Sequence, residues 1–212
     1  MCIGNCELDP SLYLVTDSEG VGEAEFLDII GQALAGGVTL VQLREKEKSG
    51  REYYELAVKV KAVTDRFGVP LIIDDRFDVA LAVNAAGVHL GQEDLPVAQA
   101  RKMMAGKIIG ATAKTVVQAK AAEAAGADYL GVGAIYPTTT KVKTVITSVE
   151  TVCDIVKSVK IPVAAIGGLN AGNLRVLYGS GIKGIAVVTA IIKSDNPKEA
   201  ASELRRLVRD FS

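Results

Sequence analysis

Eight short runs of branched apolar residues, each followed by a stretch of helical character, constrain this chain more than any other feature. They are LYLVTD (12–17), VTLVQLRE (38–45), PLIIDD (70–75), GVHLG (87–91), IIGATA (108–113), YLGVGAI (129–135), PVAAIGG (162–168) and GIAVVTA (184–190). Near-continuous apolar runs of this length belong to strands covered on both faces, as in a parallel sheet. The clearest intervening helix spans 51–67, where Tyr53, Leu56, Ala57, Val60 and Phe67 fall on one face. Arg51, Lys59 and Asp65 take polar positions there. Further helices are expected near 23–35, 97–104, 115–125, 147–158, 171–178 and 197–210, with Pro96 and Pro197 at first helical positions that tolerate a missing N–H.

A loose repeat supports the alternation. AGGVTLVQL (35–43), AAGVHLG (85–91), AAGADYLGVG (124–133) and GSGIKGIAVV (179–188) each read as a helix closed by glycine with a strand directly after it. No Pro/Gly/Ser-rich linker divides the 212 residues. Eight βα pairs in one unit predict a single-domain (β/α)8 TIM barrel over residues 1–212, with 1–11 a short N-terminal extension. An open doubly wound sheet of this length would use fewer strands.

Composition narrows the function classes. The 24 basic and 25 acidic residues leave a net charge of −1, so bulk charge offers no case for nucleic acid or a membrane surface. Any phosphate site must come from local geometry. Cys2, Cys6 and Cys153 lack a Cys/His cluster to join and read as reduced thiols. The opening MCIGNCELDP has neither a basic nor an apolar leader region, and no apolar run approaches the ~20 residues that span a bilayer. The expected location is the cytoplasm.

In a barrel, active-site groups come from the C-terminal strand ends and the loops after them. Polar residues collect there. Gln42, Arg44 and Lys46 alternate, and so project to one side of an extended strand. Such a row suits an anion such as phosphate or pyrophosphate, or else salt bridges to Glu45 or the Asp74/Asp75 pair. Adjacent Asp74 and Asp75 should point oppositely, so that one of them faces the mouth squarely. Asp75 with Asp94 would offer two carboxylates to Mg2+, although Asp94, just ahead of Leu95 and Pro96, also suits a helix cap. Thr112 and Lys114 end strand five, Thr138, Thr139, Thr140 and Lys141 follow strand six, and Gly167, Gly168 and Thr189 sit where barrels commonly bind phosphate. His89, the single histidine, lies in a packed strand and reads as a satisfied core group; zinc and Cys–His chemistry find no ligands.

QLREK (42–46), LIIDDR followed by ALAV (71–83), GVHLGQEDLP (87–96), GADYLGVGAIYPTTTK (126–141), PVAAIGG and GIAVVTAI (184–191) together resemble the thiamine phosphate synthase family over nearly the whole chain. The resemblance implies a transferase of the alkyl-transfer type. It joins 4-amino-5-hydroxymethyl-2-methylpyrimidine diphosphate to a thiazole phosphate, releasing pyrophosphate. It implies that Gln42, Leu43, Arg44, Glu45, Lys46, Asp74, Thr112 and Lys141 hold the pyrimidine diphosphate, with Arg44, Lys46 and Lys141 catalytic. Asp75 and Asp94 would hold Mg2+. Thr138, Thr139 and Thr140, with Gly168, Val188 and Thr189, would take the thiazole phosphate, Thr139 pointing away. Asp74 stands where the family usually has Asn, Thr112 and Thr189 where serine is commoner, and VKTVITSVET after Lys141 departs from the usual continuation. The alternatives are a thiazole tautomerase-like paralogue and a non-catalytic phosphate-binding barrel. Partners are small molecules, and exposed barrel helices allow a homodimer.

Overall fold

The computed structural model describes residues 8–137 and 145–211. Eight parallel strands close in chain order, and the last pairs back onto the first. They are β1 (Leu12–Val15), β2 (Leu40–Leu43), β3 (Leu71–Asp74), β4 (Gly87–Leu90), β5 (Ile108–Ala113), β6 (Tyr129–Gly133), β7 (Val163–Ile166) and β8 (Gly184–Val187). The helices are α1 (Glu23–Ala35), α2 (Gly50–Phe67), α3 (Phe77–Ala82), α4 (Val97–Met103), α5 (Val116–Ala124), α6 (Val149–Ser158), α7 (Thr189–Ile192) and α8 (Pro197–Val208). The fold is the expected (β/α)8 barrel. Among the described residues no helix is long and apolar enough to cross a membrane.

Strand alternation divides the core in two. Outward side chains such as Leu12, Leu14, Val41, Leu43, Ile73 and Val88 pack under the helices, joined by Phe26 and Ile30 of α1 and Leu204 of α8. Inward ones fill the barrel: Tyr13, Val15, Leu40, Ile72, Tyr129 and Ala186 form a separate inner cluster. The two tyrosines are the largest of these, and glycines on neighbouring strands make room for them. A Cβ on Gly110 would overlap the Tyr129 ring and stand 2.5 Å from His89 Nδ1.

Side-chain caps start several helices. Ser49 Oγ accepts from Glu52 N at 3.3 Å while Glu52 Oε2 accepts from Ser49 N at 2.9 Å, a reciprocal box at the start of α2. Ser148 and Thr115 cap α6 and α5, and Asn196 precedes Pro197 of α8. Pro96, by contrast, is the residue before α4 and not its first. At the end of α2, Gly68 takes the left-handed conformation (φ 66°) that closes a helix.

Three further sequence expectations change. Phe67 is 45% exposed, because the last turn of α2 runs past the sheet that covers Tyr53, Leu56, Ala57 and Val60. Segment 171–178 forms only a 3-10 turn at Leu174–Leu177. The side chains of Asn170 and Asn173 bond nearby backbone N–H groups and compete with a helix start. At AAGVHLG the left-handed residue is Asn84 (φ 53°), just before the repeat, while Gly87 lies in β4, where a side chain would collide with the Ile108 carbonyl. Helix α3, six residues long, was too short to declare itself by periodicity. Cys153 is an unpaired thiol, and Cys2 and Cys6 lie outside the described residues.

One substitution at two glycines should act with opposite signs. Gly31→Ala, inside α1 with only Val63 Cγ1 near at 4.0 Å, should stabilise by about 0.5–1 kcal/mol. Gly110→Ala should destabilise by about 1–3 kcal/mol through overpacking against Tyr129 and His89. Urea unfolding midpoints of the two variants check both.

Candidate active site at the barrel mouth

The exits of β2 and β3 build a charged cluster. Alternation carries Gln42, Arg44 and Lys46 to the inner side, as expected. Lys46 Nζ lies 2.8 Å from Asp74 Oδ2 and also pairs with Asp75, while Arg44 Nε is 3.7 Å from Asp74 Oδ2. Burial works against the Lys46 ammonium, but the two carboxylates outweigh it, and the pKa is raised. Asp74 is buried, and desolvation, followed by the charge of Asp75, pushes its pKa up to about 6 despite both cations.

Both aspartates reach this cluster, contrary to the simple alternation rule. Asp75 adopts φ 57°, so its backbone leaves the strand and turns the second carboxylate back toward the mouth. Its N–H donates to His89 O at 2.9 Å, and Arg76 N donates to Asp74 O at 2.6 Å, which holds the turn. The Asp94 carboxyl comes within hydrogen-bonding reach of Asp75. Burial, then that contact, raises its pKa. Asp94 Oδ2 accepts from Gly91 N at 2.7 Å and leaves α4 uncapped by side chain, so it closes its own loop instead. Asp75 and Asp94 form an all-oxygen donor pair; among the described residues no group of three His, Cys, Asp or Glu converges as a metal cage.

Two members of QLREK point elsewhere. The Leu43 side chain is fully buried beneath the helices, and Glu45 turns toward the loop after β1, where it accepts from Ser18 Oγ at 2.7 Å and faces Lys48 Nζ at 3.6 Å. Burial raises the Glu45 pKa. Arg76 also leaves the cluster, chelating Asp78 with bonds of 2.9 and 2.6 Å.

Below the mouth, His89 is the satisfied core group expected: Nδ1 lies 3.0 Å from the Tyr129 hydroxyl and Nε2 3.0 Å from Thr112 Oγ1. Burial lowers its pKa to about 4, so it is neutral at pH 7. Tyr13 and Tyr129 are buried phenols whose pKa values burial raises, which keeps them protonated. Sequence reading passed over both, and took Tyr53 only for part of the apolar face of its helix, although its hydroxyl donates to Leu43 O at 2.6 Å and lies 3.3 Å from the Asp74 carbonyl. The available signal was the phenol itself: a tyrosine at an inward position of an aliphatic strand needs a polar partner.

Across the barrel, Gly168 (φ 64°) packs so closely on the loop after β6 that a Cβ would lie 2.7 Å from Tyr136 Cβ and 2.8 Å from Pro137 O. Asn173 Nδ2 holds the Gly168 carbonyl at 2.9 Å. Thr189 is not the end of β8 but the first residue of α7, because Val188 (φ −117°, ψ −84°) turns the chain. As at any helix start, its first N–H groups have no intrahelical acceptor. Thr138, Thr139, Thr140 and Lys141 lie outside the described residues.

Comparison with known proteins gives one family. The family model described as thiamine monophosphate synthase matches residues 12–191. A thiamine-phosphate synthase of Ruminiclostridium cellulolyticum is 50% identical over 93% of this chain and 95% of its own. One from Enterococcus faecalis is 51% identical over 92% of this chain and 93% of its own. The solved thiamine phosphate pyrophosphorylase of Pyrococcus furiosus superposes with a TM-score of 0.88 at 39% identity, covering 96% of this chain and 97% of that one.

The raised pKa of Asp74 sets a pH dependence. The folded protein binds that proton more tightly than the unfolded chain, so the stabilisation is complete below about pH 4 and is lost as pH rises toward about 6. Above that, the ionised group costs about 3 kcal/mol relative to its protonated form. Asp74→Asn should remove this slope and leave the metal-free protein more stable than wild type at pH 7–8, with little difference at pH 4. Urea unfolding in chelator across that range measures it.

Proposed function

The chain belongs to the thiamine monophosphate synthase family, and from that premise we propose how its barrel mouth carries out the condensation of 4-amino-5-hydroxymethyl-2-methylpyrimidine diphosphate with thiazole phosphate. The protein is an enzyme of the transferase class. The single observation that carries the mechanistic reading is the convergence of Lys46, Arg44, Asp74, Asp75 and Asp94 at one side of the mouth, with no activated nucleophile among them.

Arg44 and Lys46, joined by Lys141, bind the diphosphate oxygens. Each charged hydrogen bond contributes roughly 1.5–3 kcal/mol, and Lys46 exchanges carboxylate partners for phosphate ones as the substrate enters. Three carboxylates facing two cations leave the described side of the mouth negative, so a diphosphate needs a further positive charge to settle there. The hard oxygen pair of Asp75 and Asp94 fits Mg2+, which takes one or two carboxylates and completes its shell with water and substrate phosphates. Bound there, Mg2+ would neutralise charge on the leaving group.

The reaction makes little demand on proton transfer. The bond between the pyrimidine methylene carbon and the diphosphate oxygen breaks, and pyrophosphate leaves with the electron pair. The 4-amino group stabilises the cation that remains, and the thiazole nitrogen supplies the pair for the new C–N bond. The protein's work is to stabilise the departing charge and to hold two substrates in line. Gly168, Val188 and Thr189, with Thr138 and Thr140, hold the thiazole phosphate through backbone N–H groups and hydroxyls.

Thiamine phosphate and pyrophosphate should form from the two substrates only with Mg2+ present. Asp75→Ala and Lys141→Ala should each lower kcat/KM by roughly 100-fold or more. Asp74→Asn should leave turnover unchanged or improved, since an amide can donate to phosphate where a carboxylate cannot. Absence of product at every Mg2+ concentration, with both substrates bound, would point instead to a binding barrel.

A further inference from the structure

Five side chains from five strands form an unbroken hydrogen-bonded chain through the barrel. Gln42 Nε2 of β2 donates to the Tyr13 hydroxyl of β1 at 2.5 Å, and the hydroxyls of Tyr13 and Tyr129 of β6 lie 2.7 Å apart. Tyr129 reaches His89 Nδ1 of β4, and His89 Nε2 reaches Thr112 Oγ1 of β5, each at 3.0 Å. The three middle members take no part in the bond-making described above. The two ends, Gln42 and Thr112, are the residues assigned to the pyrimidine diphosphate.

Each hydroxyl owns one hydrogen, and a neutral imidazole owns one. The hydrogens along such a chain can therefore run in one of two senses, and the amide selects between them, because its nitrogen only donates. With Gln42 donating to Tyr13, the Tyr13 hydrogen goes to Tyr129. The Tyr129 hydrogen goes to His89 Nδ1, and the imidazole hydrogen sits on Nε2 and goes to Thr112. Thr112 keeps its own hydrogen unspent. At the other end Gln42 keeps its carbonyl oxygen unspent. Gln42 itself is buried, and among the described residues no group donates to its carbonyl oxygen, which leaves that oxygen for a ligand.

We propose that Tyr13, Tyr129 and His89, the last as its Nε2–H tautomer, are positioning residues of a one-way hydrogen-bond relay that presents Gln42 as an acceptor and Thr112 as a donor to the pyrimidine diphosphate. The inference rests on the proposed function and on the family resemblance, which gives those two residues to the pyrimidine diphosphate. The polarity suits the ligand's chemistry. Diphosphate oxygens only accept, so Thr112 must donate, and an exocyclic amino group donates, so Gln42 must accept. The opposite sense would set a lone pair against phosphate and an N–H against an amine.

The chain has one histidine, so its imidazole resonances need no assignment. Nitrogen-15 NMR of the full-length wild-type protein at pH 7.5, without substrate, should show Nε2 protonated and Nδ1 bare; a protonated Nδ1 overturns the relay. In steady-state kinetics Tyr129→Phe, which cuts the relay between Tyr13 and His89, should raise KM for the pyrimidine diphosphate about tenfold and leave KM for thiazole phosphate unchanged. An unchanged pyrimidine KM, or an equal rise for both substrates, also overturns it. The wild-type NMR measurement stands even where the variant does not fold. Wild-type protein without synthase turnover defeats the functional reading, whereas normal turnover with the wrong tautomer defeats the relay alone.

Discussion

Closure of the barrel is the constraint on which the rest depends. Most of the strands are only four residues long, and each gives about two side chains to the inside. A ring so short has no spare length, so the inner positions must be filled completely and the residue after each strand is already at the mouth. That geometry puts Gln42 inside and Arg44 at the rim of the same strand. It also lets five polar groups lie in the interior at low cost, since each finds a partner 2.5 to 3.0 Å away, on an adjacent strand or across the narrow interior.

The architecture was legible in the residues because buried parallel strands write themselves as apolar runs, and eight of them with glycine-closed helices leave few other folds. What was not legible has local causes. Several strand ends read two or three residues too long, since TD, RE and VTA follow β1, β2 and β8 without a break in pattern after the ladder has stopped. The short α3 and α7 offer less than two full turns of pattern. Phe67 matched the helical period but sits where no sheet remains to cover it.

The candidate site was legible as a set of residue types and less so as a geometry. Gln42, Arg44 and Lys46 followed from alternation and converge with Asp74. The convergence of Asp75 did not follow, because it depends on a left-handed backbone at a non-glycine residue, which no periodicity announces. Leu43 and Glu45 were drawn into the site by membership of a motif, yet their side chains obey the same alternation that admits their neighbours and point away. Tyr13 and Tyr129 were hidden by their surroundings. In an aliphatic strand a tyrosine reads as bulk, and only the pairing of β1 with β2, β4 with β5 and β5 with β6 in a closed barrel brings the phenols, His89 and Thr112 into line.

Asp74 links the charged rim to the neutral interior. Its carboxylate meets Lys46 and Arg44 above, while its charge adds to burial in raising the pKa of Tyr13 and Tyr129 below. A carboxylate in that place therefore discourages ionisation of the phenols, while His89 is kept neutral by its own burial. The price is its own desolvation, visible in a pKa near 6. An asparagine there would relieve that cost and offer phosphate a donor, while its amide oxygen could still accept from Lys46. Asp75 would remain as the charged partner of the ammonium, which would then leave carboxylate for phosphate more readily. The carboxylate thus costs the empty barrel stability and holds both cations until the substrate oxygens replace it.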